Sequence, residues 1–144
     1  MKIRFACLVA APLLALAATA QAADPVYMTV DHSTDGLIDK AAAQGVWTES
    51  LAGKTPRLDR LYPVRRWGFV SQVEGGFNQS KTCVITARAM MLPRTATGRS
   101  LVFRPSKTAT AFDALPNATR EQCNDLAKTK LKEAVQGVLS SLAQ

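Results

Sequence analysis

The sequence predicts an α+β fold: an antiparallel sheet of three to four strands, packed by a long C-terminal amphipathic helix, with a shorter helix nearer the start. Three observations predict it. Between Arg66 and Leu92, two runs alternate apolar and polar residues with the period of two that a half-buried strand requires. From Thr119 onward, apolar residues recur at spacings of three and four, the stripe of a helix lying on an apolar surface. Once the leader described below is removed, two cysteines remain, Cys83 in the second run and Cys123 at the head of the helix, so one intrachain pairing exists.

The chain opens on a leader. Lys2 and Arg4 give a positive start, residues 5–18 are apolar, and Ala20-Gln21-Ala22 is a small-residue cleavage signature. The segment resembles a Gram-negative Sec signal peptide. It divides the chain into residues 1–22, a signal peptide cleaved near Ala22 or Ala23, and residues 23–144, one small globular domain. The apolar run is short for a membrane span, and no later stretch approaches that length. A periplasmic or secreted location follows. Removing Lys2 and Arg4 takes 18 basic residues to 16 against 11 acidic ones, a net charge of +5. Such an excess attracts anionic partners and also keeps a small protein in solution.

Val26, Met28 and Val30 alternate with Tyr27 and Thr29, a first short strand. Asp31 to Thr34 supply cap residues, and Leu37, Ile38, Ala41, Ala42 and Gly45 form a helical stripe expected to end or kink near Gly45. Trp47 and Leu51 fall out of phase with Ile38. Gly53, Pro56 and Pro63 then predict an irregular segment. In the first long strand Trp67, Phe69 and Val73 share one side. In the second, Cys83, Ile85, Ala87, Ala89 and Met91 do. Residues 75–80, with two glycines, an asparagine and a serine, form the turn between them. Pro93 ends the second strand, Thr97 to Arg99 turn the chain, and residues 100–104 are expected as a third strand stopped by Pro105. Residues 108–112 are a shorter fourth. Thr119 and Gln122 match a capping box that opens the last helix.

Cys83 lies on the core side of its strand and Cys123 opens the apolar stripe of the helix, so both face one interface. Exported cysteines of this kind form disulfides. A reactive thiol or metal site would need a base or further ligands, and His32 is the one histidine. A Cys83–Cys123 bond would close a loop of about 40 residues, for which the chain-entropy model gives roughly 4 kcal/mol.

For function, Arg94, Arg99, Arg104 and Lys107 flank one expected hairpin, so their charges are expected to gather at its tip and edge, with Arg65 and Arg66 nearby. Guanidinium groups suit two-pronged contacts with carboxylate or phosphate, so this patch is the candidate for binding an acidic protein or an anionic envelope component. The competing explanation is an edge strand guarded by charge. Nucleic acid is not expected, since no exposed aromatic ladder accompanies the arginines. Asp31-His32-Ser33 reads as a strand-to-helix cap, because a serine beside a histidine in sequence is no triad and one histidine makes no two-histidine zinc site. Glu74 beside Gly75-Gly76 is a lone acid without a partner carboxylate. Phosphate loops, dinucleotide fingerprints and paired CxxC motifs are missing, so no cofactor is expected and no metal site. The sequence therefore points to a non-enzymatic exported binding protein, of the inhibitor, immunity-type or envelope-accessory kind, acting through a basic surface. Its rival is a small cell-envelope hydrolase with an acidic catalytic residue.

Overall fold

The computed structural model describes residues 26–143; the leader and its cleavage site lie outside them. The elements run β1 (Met28–Asp31), α1 (Lys40–Leu51), α2 (Thr55–Leu61), β2 (Trp67–Phe77), β3 (Cys83–Pro93), β4 (Lys107–Leu115) and α3 (Arg120–Leu142). The four strands form one sheet in the order β1-β2-β3-β4. The fold is α+β. β2, β3 and β4 are antiparallel neighbours, as the alternation predicts, whereas β1 pairs parallel to β2. A parallel neighbour needs a crossover, and α1 with α2 supplies it.

Alternation sorts each strand. Phe69, Ser71 and Val73 of β2 and Cys83, Ile85, Ala87, Ala89 and Met91 of β3 are buried on the helix side. Against them α3 sets Cys123, Ala127, Leu131, Ala134, Val135, Val138 and Leu142, and α1 adds Ala43, Val46, Trp47 and Leu51. Phe69 is the centre of the aromatic packing: Trp47 stacks on it at 4.8 Å and Tyr27 meets it edge-on at 5.0 Å. Alanines at 87, 89, 109 and 111 keep the sheet surface low, so α3 approaches closely. A Cβ at Gly137 would come within 2.9 Å of Ala109.

The capping box of α3 forms. Thr119 Oγ1 accepts from the Gln122 N–H, and Gln122 Oε1 accepts from the Thr119 N–H. The staple forms too: Cys83 and Cys123 are disulfide-bonded, their Cα atoms 5.7 Å apart.

Four local expectations are corrected. The first helix starts at Lys40, capped by Asp39 through the Ala42 N–H, not by residues 31–34. It runs through Gly45 to Leu51, because Leu37 and Ile38 belong to a preceding turn and the helical phase is set by Val46, Trp47 and Leu51. The segment expected to be irregular contains α2, where Pro56 stands in the first turn, a position that needs no N–H. Residues 100–104 are not a strand; they form a loop that touches the sheet through the single bridge Arg94–Leu101. The strand expected at 108–112 is the longer β4, and it takes the third place in the antiparallel part of the sheet.

Candidate functional site

The loop from Arg94 to Ser106 is tied to the sheet by backbone hydrogen bonds from Val102 to Pro93 and from Ser106 to Met91, and one apolar residue anchors it. On the sheet face away from the helices, Val70, Met90 and Leu92 make a second small core, and Leu101 closes over it beside Val30. Gly68 is the seat: a Cβ there would meet Leu101 Cδ2 at 2.7 Å. With Leu101 anchored, the loop presents its charged residues on either side.

Upstream of the anchor, Arg65, Arg66, Trp67, Pro93, Arg94 and residues 95–98 line a depression of about 560 Å³. Arg94 departs from the expectation of a free grip. Its Nη1 donates to the Val64 carbonyl at 2.7 Å and its Nη2 to the Gly98 carbonyl, while Nε is buried without a partner. Arg94 thus ties the 95–98 turn to the segment before β2 and shapes the depression. Downstream, Arg99 lines a groove of about 410 Å³ with His32, Phe103 and the apolar residues Met28, Val30, Val70, Leu92 and Leu101. Arg104 is exposed on the loop, and Lys107 is the exposed first residue of β4. The structure therefore distributes the four residues: Arg94 in one depression with Arg65 and Arg66, Arg99 in the next, Arg104 and Lys107 beyond. None of Arg65, Arg66, Arg99, Arg104 and Lys107 is in an ion pair among the described residues, where the pairs are Lys130 with Asp113 and Glu133, and Lys132 with Glu49.

The residues considered for catalysis sit elsewhere. Asp31 Oδ1 accepts from Ser71 Oγ at 2.6 Å and from Ser33 Oγ at 2.8 Å, and Ser33 Oγ accepts from the Val73 N–H. The trio extends the β1–β2 ladder past the end of β1, joined by the His32 N–H to Ser71 and the Thr34 N–H to Val73. Both serine protons point at the aspartate, while His32 lines the groove on the opposite sheet face. Asp31, His32 and Ser33 therefore do not form a relay. Glu74 is exposed, accepts from Gln72 Nε2 at 2.7 Å, and shares a shallow depression with Thr86 and Arg88. It is the one carboxylate lining that depression. No cluster of three or more metal-ligating side chains occurs among the described residues, and no helix among them is long and apolar enough to cross a membrane.

Sequence reasoning set Arg65 and Arg66 near the hairpin charges, and both line the Arg94 depression; it missed Trp67 as a co-lining residue. The proximity comes from the antiparallel register, which sets Trp67 opposite Pro93, and the hairpin's equal arms were the available signal.

No family model and no curated protein matches the chain. Two solved structures are similar in part, both PelC dodecamers from Paraburkholderia phytofirmans, one of them a point variant. Each is 8% identical with a TM-score of 0.44; the variant covers 80% of this chain and 89% of its own, the other 81% and 91%. A likeness at that level carries no functional inference.

Proposed function

We propose that the protein is an exported, non-catalytic binding protein that docks an anionic partner on the arginine-rich surface made by residues 94–107 and Arg65–Arg66. The observation that carries this reading is the depression beside Trp67, rimmed by Arg65 and Arg66, whose guanidinium groups have no acidic counterpart among the described residues. Unpaired guanidinium groups beside a half-buried indole suit carboxylate-bearing segments, which they can grip with two parallel hydrogen bonds while the ring packs against the segment's apolar part. Export is supported by the leader sequence and by the disulfide, which fits an oxidising compartment.

The test is affinity capture from an envelope extract with the native protein and with a charge-reversed variant, Arg65→Glu with Arg99→Glu and Arg104→Glu. Captured partners should be lost with the variant and should fall away from the native protein as salt rises. Partners retained by the variant at physiological salt would reject the basic surface as the docking site. The hydrolase reading would rest on Glu74, and an activity lost in Glu74→Gln but kept in the arginine variant would favour it.

A further inference from the structure

β4 is the free edge of the sheet, and its geometry specifies a partner. In the β2–β3 pair the even-numbered residues bond to each other, as the Arg94 N–H to Arg66 and the Asn78 N–H to Thr82 show at the two ends. Even-numbered β3 residues thus spend their backbone groups on β2, and odd-numbered ones face β4. Across the β3–β4 register, Ala87 opposite Ala111 and Ile85 opposite Asp113, the odd residues of β4 bond back to β3. The backbone groups of Thr108, Thr110, Phe112 and Ala114 therefore point outward. The Ala114 N–H is taken by its neighbour's carboxylate, Asp113 Oδ1, at 2.8 Å. Among the described residues, no strand pairs with the other three.

This edge lacks the usual guards. No proline and no charge occurs from Thr108 to Phe112, and Phe112 is 79% exposed. The opposite edge of the sheet, β1, has only four residues.

We infer that β4 pairs antiparallel with β4 of a second copy of this chain, about a two-fold axis through Thr110. In that register Thr108 meets Phe112 of the second copy, Thr110 meets its equivalent, and Phe112 meets Thr108, each pair exchanging two backbone hydrogen bonds. The outward N–H and C=O groups of Thr108, Thr110 and Phe112 are all used, and the Ala114 N–H already held by Asp113 is not required. On the helix side of the sheet the same register sets Lys107 opposite Asp113 of the second copy, at both ends of the interface, as a second cation for a carboxylate whose first is Lys130 of its own chain at 3.1 Å. These are non-hydrogen-bonded positions, where facing side chains come closest, and opposite charges there favour pairing. On the other side, Phe112 lies against the β-branched Thr108. Moving the axis to Ala111 would demand the occupied Ala114 N–H and would set Lys107 opposite Leu115. Charge and hydrogen bonding select the same register, and a self-complementary patch is what a two-fold dimer needs. Lys107 is shared with the proposed docking surface, whose arginines lie outside β4, so loss of the dimer in the Thr110 variants and loss of partner capture in the arginine variant are separable outcomes.

The experiment is sedimentation equilibrium of the oxidised protein over a concentration series, with amide hydrogen exchange on the same samples. The native protein should dimerise, with the amides of Thr108, Thr110 and Phe112 protected. Thr110→Pro removes an outward donor from each copy without touching the β3 ladder and should raise the dissociation constant by about 100-fold. Thr110→Lys keeps the backbone intact, should not disturb an exposed position, and sets two like charges face to face on the axis. It should also give monomer. A native protein that stays monomeric throughout, a dimer that survives both variants, or a dimer whose Thr110 and Phe112 amides exchange as fast as in the monomeric variant would each overturn the inference.

Discussion

Tyr27 shows how one buried residue couples the sheet to the crossover. Its ring lies edge-on to Phe69, and its hydroxyl donates to the Tyr62 carbonyl at 2.7 Å, bridging the entry to β1 and the end of α2. Burial, with the Asp59 carboxylate adding to it, pushes the phenol up to about 12 from 10.0. The folded state therefore holds this proton more tightly than the unfolded chain. The contribution is complete below pH 10, the unfolded value, and is lost as the pH rises through 12. Urea midpoints of the native protein should fall between pH 9 and pH 12 by an amount corresponding to about 2 kcal/mol, and Tyr27→Phe should lose that part of the slope while starting lower. Equal slopes in the two proteins would refute the assignment. Arg94 illustrates the other side of residue-scale reading. In sequence it is one arginine among several on a turn, with nothing to separate it from Arg99. Its burial against the Val64 and Gly98 carbonyls is a product of tertiary packing, and it changes a candidate ligand contact into a piece of scaffold.

At the scale of elements, what was legible followed from pattern length. α3, with its capping box and six turns of stripe, and the long β2–β3 hairpin could be read directly, because many residues vote on one phase. α1 was misread from few votes: Leu37 and Ile38 precede the helix yet resemble its first turn, and including them shifts the stripe so that Gly45 looks like a stop. α2 was hidden by Pro56, whose breaking effect holds for a helix interior and not for a first turn. Residues 100–104 carry a short apolar run between turn residues and Pro105, as a strand would, but Leu101 is consumed by the seat at Gly68, which a linear pattern does not display. The basic surface was legible as charges flanking one hairpin; its division into two depressions depends on that same anchor. The two helical glycines give a matched test. A Cβ at Gly45 meets nothing within 4 Å, whereas one at Gly137 meets Ala109 at 2.9 Å. Gly45→Ala should stabilise by about 1 kcal/mol and raise the melting temperature by roughly 3 °C. Gly137→Ala gains the same helix propensity but overfills the α3–β4 contact, at about 1–3 kcal/mol, and should melt at or below the native temperature. Thermal scans of the two variants side by side check the packing, since propensity alone would raise both.

For the whole molecule, the disulfide joins the two layers. It fastens the first residue of β3 to the first turn of α3, so β3, the loop, β4 and the connection to α3 lie inside one closed loop, and β1, α1, α2 and β2 lie outside it. Cys83→Ser with Cys123→Ser should lower the melting temperature by roughly 10 °C, from a loop-closure contribution of about 4 kcal/mol. Reducing agent should have the same effect on the native protein and none on the variant; coincident melting of the oxidised and reduced forms would show that the bond contributes nothing. That bond also imposes an order in time. A chain that emerges N-terminus first presents β1, both crossover helices and β2 before either cysteine. Cys83 then follows without its partner, and 40 more positions must appear before its mate arrives. Throughout that interval the cysteine is open to oxidants and to thiols of other chains. Correct pairing in this protein is therefore a race against the delay written into its own length.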